Sequence, residues 1–237
     1  MSTLSQVLIY SGVAGLTIPI GALLSRHVWF RSKWAATELQ HGVLAFGAGA
    51  LLAAVALVLI PSGIEKLSLP ALTIAFFSGG LLFAWLDRAL SNHDSPLGQV
   101  VAMLTDFLPE CLALGALFVV DNAGARLLAI LIGVQNLPEA FSAYQEVTKG
   151  DKESPTRALV LFAVLAPVGP LAAYVGLRYL SDDQHLISLI MTFAAGGILY
   201  LMFQEIAPKV ILKNSWLSPM GALIGFFVGV IGAVLIE

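Results

Sequence analysis

The sequence predicts an all-α membrane protein: a polytopic bundle of eight transmembrane helices, built from inverted repeats, with both termini outside. Three observations carry that reading. Of 237 residues 58% are hydrophobic and 11% charged, where a soluble domain carries about 25% charged residues. Long apolar runs recur along the whole length, and about 20 such residues cross the roughly 30 Å hydrocarbon core as a helix. Even the longest connection between runs, residues 25–41, leaves no room for a soluble domain. The chain therefore reads as one transmembrane domain over residues 1–237.

Charged and Pro/Gly/Asn-rich punctuation cuts the chain into spans near 4–24, 42–64, 68–86, 98–120, 123–147, 156–178, 185–211 and 216–236. The first, Leu4 to Leu24, has no basic residue before it and is too long for a signal-peptide core, so it reads as a retained span. With the N-terminus outside, the cytoplasmic segments hold Arg26, Arg31, Lys33, Arg88, Lys149, Lys152, Arg157, Lys209 and Lys213. The outer segments hold only Lys66, Arg126 and Arg178. The positive-inside rule reads this bias as N-out and C-out. A net charge of −3 spread over loops makes nucleic acid a poor candidate partner. Cys111 is the single cysteine, which excludes an internal disulfide and a cysteine-cluster metal site.

Two internal similarities stand out. Phe46-Gly47-Ala48-Gly49 in the second span is followed by Pro61 and Lys66, and Phe193-Ala194-Ala195-Gly196-Gly197 in the seventh is followed by Pro208 and Lys213 at the same intervals. Leu108-Pro109-Glu110 in the fourth span matches Leu137-Pro138-Glu139 in the fifth. Both pairs join spans of opposite direction, the signature of inverted-topology repeats, whose interface usually holds a transport site. The competing reading is that small residues and prolines are common in membrane helices.

Glu110 and Glu139 lie near the middle of apolar spans. An ionisable side chain there is expensive, faces the bundle interior and marks an ion or proton path. Each follows a proline, which removes one helical hydrogen bond and leaves backbone oxygen near the carboxylate. Four residues earlier stand Asp106 and Gln135, on the same helix faces, with Asn136 beside Gln135. Three carboxylates cannot all ionise in a dry interior, because like charges repel and desolvation penalises each. A bound cation, or protons in its absence, is the natural compensation. The alternative is protonated acids joining two helices by hydrogen bonds. Glu205, after Gln204 and before Pro208, is a candidate for an exit path or an interfacial acid paired with Lys209. Glu65 is a weaker candidate for capture of the ion outside.

These residues resemble the ZIP family of divalent-metal transporters. Its fourth helix carries His-Asn-x-Pro-Glu-Gly and its fifth Gln-Asp-x-Pro-Glu-Gly; here the segments read Asp106-Phe107-Leu108-Pro109-Glu110-Cys111 and Gln135-Asn136-Leu137-Pro138-Glu139-Ala140. The family's His-Glu-x-x-Pro segment is matched by Gln204-Glu205-Ile206-Ala207-Pro208. The resemblance implies a transport site between the fourth and fifth helices, with the second and seventh beside it. Asp106 replaces a histidine, and Phe107 and Asn136 replace ligands of a second site. Ala166-Pro167-Val168-Gly169-Pro170 lacks the acid expected in the sixth helix, so a two-metal centre is not expected. The family's histidine-rich loop is absent; only Ser91-Asn92-His93-Asp94-Ser95 stands there, with His93 read as a solvated loop residue.

None of His27, His41, His93 and His185 falls at mid-helix depth, so the expected metal ligands are Asp106, Glu110, Gln135, Asn136 and Glu139. Oxygen donors suit Mn²⁺, Mg²⁺, Ca²⁺ or Fe²⁺ better than they select Zn²⁺. Cys111 is read as a buried, inert small residue. The function expected is movement of a divalent cation into the cytoplasm by alternating access, in a multi-pass protein of the plasma or inner membrane, with no resident cofactor and with homodimerisation left open. Proton or other-solute transport, or a regulatory relative without transport, are the alternatives. An enzyme is disfavoured, since the fourth and fifth spans offer no Ser-His or Cys-His pair and no His-Glu-x-x-His run.

Overall fold

The computed structural model of the chain describes residues 1–27, 33–91, 97–148, 154–210 and 216–236, and every regular element among them is helical. Eight helices are long and apolar enough to cross a membrane, at the eight places expected. They are α1 (Thr3–His27), α2 (Lys33–Ala54, continued by Val55–Leu59 and Ile60–Lys66), α3 (Leu69–Ser91) and α4 (Leu97–Val120). Then come α5 (Asn122–Thr148), α6 (Pro155–Leu165 and Val168–Tyr179), α7 (Gln184–Leu201, continued by Met202–Ile206 and Ala207–Lys209) and α8 (Leu217–Ile236). α2 begins well before its apolar run, because charge ends hydropathy without ending the backbone hydrogen bonding that lipid demands. The break in α6 falls at Ala166 and Pro167, where proline cannot continue the ladder. Arg31, His93, Lys149, Lys152 and Lys213, used above for orientation and for the short loop, lie outside the described residues.

Polarity decides position in the bundle. α5 is the least apolar of the eight spans and the most enclosed, whereas α3 and α8 stand at the rim. Their outward faces carry Phe77, Leu81 and Trp85 on α3 and Leu223, Phe227 and Val234 on α8. The polar helix is thus sealed by apolar ones, the arrangement that keeps ionisable groups out of hydrocarbon.

The most extensive pairings are α2 with α8, α1 with α5, α3 with α7, and α4 with α6. Exchanging α1 with α6, α2 with α7, α3 with α8 and α4 with α5 maps this set onto itself. Membrane helices lack a hydrophobic force between them, so close backbone approach at small residues supplies the packing. A Cβ added at Gly49 would strike the Ala222 carbonyl and one at Gly225 the Phe46 carbonyl, so each helix of the α2–α8 pair has a glycine under the other's backbone. The α3–α7 pair repeats the device, with Gly196 under the Phe76 carbonyl and Gly79 under that of Phe193.

The shared spacing of α2 and α7 also governs their shape. Each contains one wide, π-helical turn, Val55–Leu59 in α2 and Met202–Ile206 in α7, and these segments correspond under the interval that relates Phe46 to Phe193. Each turn ends two residues before a proline, Pro61 or Pro208. The residue just before each proline donates five residues back, Ile60 N–H to Val55 O and Ala207 N–H to Met202 O. A widened turn is one way to absorb the donor that proline lacks, and such turns concentrate at functional sites.

Substituting Gly225 by valine should lower stability by about 1–3 kcal/mol through overpacking against Phe46. Gly12→Ala, whose Cβ would meet Pro170 Cγ at an ordinary 3.9 Å, should not lower it. Thermal unfolding of the purified variants measures both.

Candidate metal site

Glu110 of α4 and Gln135 of α5 are the deepest polar contact between the two Pro-Glu motifs. Both are almost wholly buried. Gln135 Nε2 donates to Glu110 Oε1 at 2.8 Å and Oε2 at 2.7 Å. The two prolines lie beside this contact: Pro109 precedes Glu110, and the Pro138 ring packs against α2, where a Cβ at Gly47 would meet its Cγ at 2.8 Å. Gly47 belongs to the Phe-Gly-Ala-Gly segment, so that motif makes room for the proline ring of α5.

One helical turn away, Asp106 is buried and its Oδ1 accepts from Phe107 N–H at 2.9 Å. Asp106, Glu110 and Glu139 lie within electrostatic reach of one another. Several buried polar atoms here have no hydrogen-bond partner: Gln135 Oε1, Asn136 Nδ2, Glu139 Oε2 and Ser142 Oγ. Buried polar groups are nearly always satisfied in folded proteins, so a cluster of exceptions calls for an explanation such as an ion or water. Among the described residues no three His, Cys, Asp or Glu side chains converge closely enough to hold a metal ion. The carboxyls are therefore gathered in one region without sharing one coordination point.

Two cavities flank the region. Toward the ends of α5 and α7, Glu139, Ser142, Glu146, Glu205 and Lys209 line a cavity of about 40 Å³, together with Met103 and Leu44. At the other end, Ser62, Glu65, Lys66, Asp121, Gln184 and Ser188 line one of about 440 Å³. Its lining also includes Val58, Leu117, Leu127 and Met191, and none of the five expected ligands. Glu205, set in the π-helical turn of α7, thus lines the cavity that Glu139 lines. Gln204 is exposed and lines neither; Glu65 is exposed and lines the larger one.

Sequence reasoning passed over Glu146 and Ser142. Lys209 Nζ lies 3.4 Å from Glu146 Oε1, so the lysine pairs with α5. The signal was available: Gln135, Glu139, Ser142 and Glu146 follow spacings of four, three and four, one continuous face of a helix. Cys111 is fully buried on another face, and a Cβ at Gly169 of α6 would meet Phe107 Cζ at 2.6 Å and Cys111 Sγ at 3.4 Å. Both side chains fill the seam with α6.

A family model described as the ZIP zinc transporter matches residues 95–237, more than half of the chain. The chain belongs to the ZIP family. A search of curated proteins finds no matching relative. Membership makes this a multi-pass membrane protein of a family that transports divalent metal cations, whose members are transporters and not enzymes. The ZIP match covers α4 to α8, and with them Asp106, Glu110, Gln135, Asn136, Glu139 and Glu205.

The contact that joins the two motifs of this ZIP chain is testable as a stability element. Gln135→Leu strips Glu110 of a buried donor and should destabilise the protein by about 1–3 kcal/mol. In the double variant Glu110→Leu with Gln135→Leu, the total should fall clearly short of the sum of the single effects. Unfolding midpoints of the four proteins close that cycle.

Proposed function

We propose that this chain carries a divalent metal cation toward the cytoplasm through a site between α4 and α5, by alternating access of one inverted repeat against the other. Asp106, Glu110 and Glu139 supply carboxylate oxygen, Gln135 and Asn136 supply amide oxygen, and Glu205 stands on the exit path. The observation that carries the reading is the buried Glu110–Gln135 contact, surrounded by polar atoms without partners. In the empty site the Gln135 amide group gives its N–H donors to Glu110 and leaves Oε1 unused. A cation arriving at Glu110 replaces that donor, and rotation of the amide turns Oε1 toward the ion. The same side chain then serves the empty and the loaded site.

The positive-inside bias supports an N-out, C-out orientation, which makes the cavity lined by Glu139 and Glu205 the cytoplasmic one. In that orientation the acids lead from mid-depth to the inner end, while Val58, Leu117 and Met191 help line the outer cavity. The arrangement favours release inward. Phe107, where the family has a ligand, is buried against α6, which supports one ion per site.

Metal flux into proteoliposomes, with Zn²⁺, Mn²⁺, Fe²⁺, Mg²⁺ and Ca²⁺ compared, is the deciding experiment. Glu110→Ala and Glu139→Ala should each abolish saturable uptake; normal uptake by both folded variants would put the site elsewhere, and no flux with any ion would remove the proposal.

Proton coupling follows from the same carboxyls. A bound divalent ion favours their ionised form and protons favour the empty form, so binding releases protons and affinity falls as pH falls. The titration belongs to the coupled group rather than to one residue. Metal affinity measured across pH, with proton release on binding, checks this; an affinity flat from acid to neutral pH without proton release would contradict it.

A further inference from the structure

The two cavities occupy corresponding places in the chain but are built from different chemistry. The interval that relates Phe46 to Phe193 also relates Val58 to Glu205, Ser62 to Lys209, His41 to Ser188 and Leu44 to Met191. The interval that relates Glu110 to Glu139 likewise relates Leu117 to Glu146. Val58, Ser62, Leu117, Ser188 and Met191 all line the 440 Å³ cavity. Their counterparts Lys209, Glu146, His41 and Leu44 line a 540 Å³ cavity at the opposite end, and Glu205 lines the 40 Å³ one beneath it. At these positions the first cavity is lined by apolar side chains and by the Ser62–Ser188 hydroxyl contact of 3.0 Å, with Glu65, Lys66 and Asp121 elsewhere on its wall. At the second mouth the corresponding positions carry two acids, a lysine and a histidine.

Glu146 and Lys209 stand where the small cavity meets the wide one, since both residues line both spaces. Their side chains are 3.4 Å apart and each is 41% exposed. Ser142, also on both walls, is 8% exposed and its hydroxyl has no partner. Behind the pair, on the wall of the small cavity, Glu139 Oε2 is likewise without a partner. The Lys209 charge acts on both Glu139 and Glu205. A polar pocket with unmet hydrogen-bonding capacity thus sits behind one ion pair.

We propose that the Glu146–Lys209 ion pair is the inner gate of the cation path, with the Lys209 ammonium a tethered cation that holds the acidic mouth until cargo displaces it. The proposal rests on the transport reading above for its path and direction. A tethered ammonium neutralises the acidic wall when no metal is present, and it cannot itself leave. An arriving divalent ion interacts more strongly with the same carboxylates and frees Lys209 to swing toward the wide cavity. The corresponding outer position is Ser62, which has no charge to do this. At the corresponding positions the two ends of the path therefore differ, the inner held by an ion pair that a cation can displace and the outer by a hydroxyl contact among apolar side chains.

The test is the accessibility of a reporter cysteine. Ser142→Cys is introduced and its rate of modification by a polar maleimide is measured on purified protein, with the buried native Cys111 as the unreactive background. Lys209→Gln and Glu146→Gln should each accelerate modification roughly two- to five-fold, the scale of a half-exposed ion pair. The exchanged pair, Glu146→Lys with Lys209→Glu, should return the rate toward that of the parent, and Lys209→Arg should keep it there. Unchanged rates in the neutral variants, or an exchanged pair as fast as they are, would overturn the gate. Unfolding midpoints near the parent value establish that a faster rate reports opening and not misfolding. Flux in proteoliposomes is read separately: Glu110→Gln should stop transport while leaving the reporter rate unchanged. Loss of the transport reading and loss of the gate are thereby distinguishable.

Discussion

A carboxyl group inside a membrane has to be surrounded by protein, and much of this bundle follows from enclosing those of α4 and α5. The Glu110–Gln135 contact ties the two helices at their deepest polar point. It also dictates which helix stands in the middle: α5, the least apolar span, is the most enclosed, and the rim is left to α3 and α8. Hydrophobicity alone would not sort eight apolar helices, because lipid tails are as apolar as leucine. Polar side chains choose the interior, and glycines at the seams then bring the outer helices close.

Proline links this enclosure to shape. Pro109 and Pro138 sit one residue before the central glutamates, and Pro61 and Pro208 sit just beyond the π-helical turns of α2 and α7. In each case a missing backbone donor coincides with a residue facing the polar interior or a cavity. The widened turn of α7 carries Glu205 onto the same cavity wall as Glu139, across from the face of α5 that continues to Glu146. The matching turn of α2 carries Val58 onto the opposite cavity. Equal backbone geometry with unequal side chains leaves the two ends of the molecule with different electrostatic character.

Much of this was legible in the sequence, for identifiable reasons. Apolar length fixes a membrane span almost by itself, so all eight helices fell where expected, and the mid-span cost of Glu110 and Glu139 made them conspicuous. The start of α2 was misjudged because hydropathy stops at His41 while the helix continues back to Lys33. The π-helical turns were hidden because a proline signals a lost donor without saying how the backbone absorbs it. Adjacency in sequence offers Glu205 as one partner for Lys209, but the ion pair forms with Glu146 on another helix. Contacts between helices depend on rotation about their axes, and eight apolar spans give little sign of that rotation. Glu146 itself passed unnoticed because an acid near a helix end looks like an ordinary solvated residue until a cavity is seen beside it.

The most enclosed helix and one of the two rim helices differ in length. α5 has 27 residues, about 40 Å of helix, while α8 at the rim has 20, about 30 Å. α5 is thus taller than α8 by about two helical turns. α8 matches the hydrocarbon thickness of a typical bilayer, whereas a helix as long as α5 exceeds it and is accommodated by tilting or by extending past the hydrocarbon. A change in acyl-chain length therefore acts directly on α8 and its seam with α2, while α5 meets it through its packed neighbours, α1 foremost. The extra length of α5 carries its last turns, with Glu146, beyond the span that apolar side chains alone would define, so the polar end of the helix is set by protein and not by hydrocarbon.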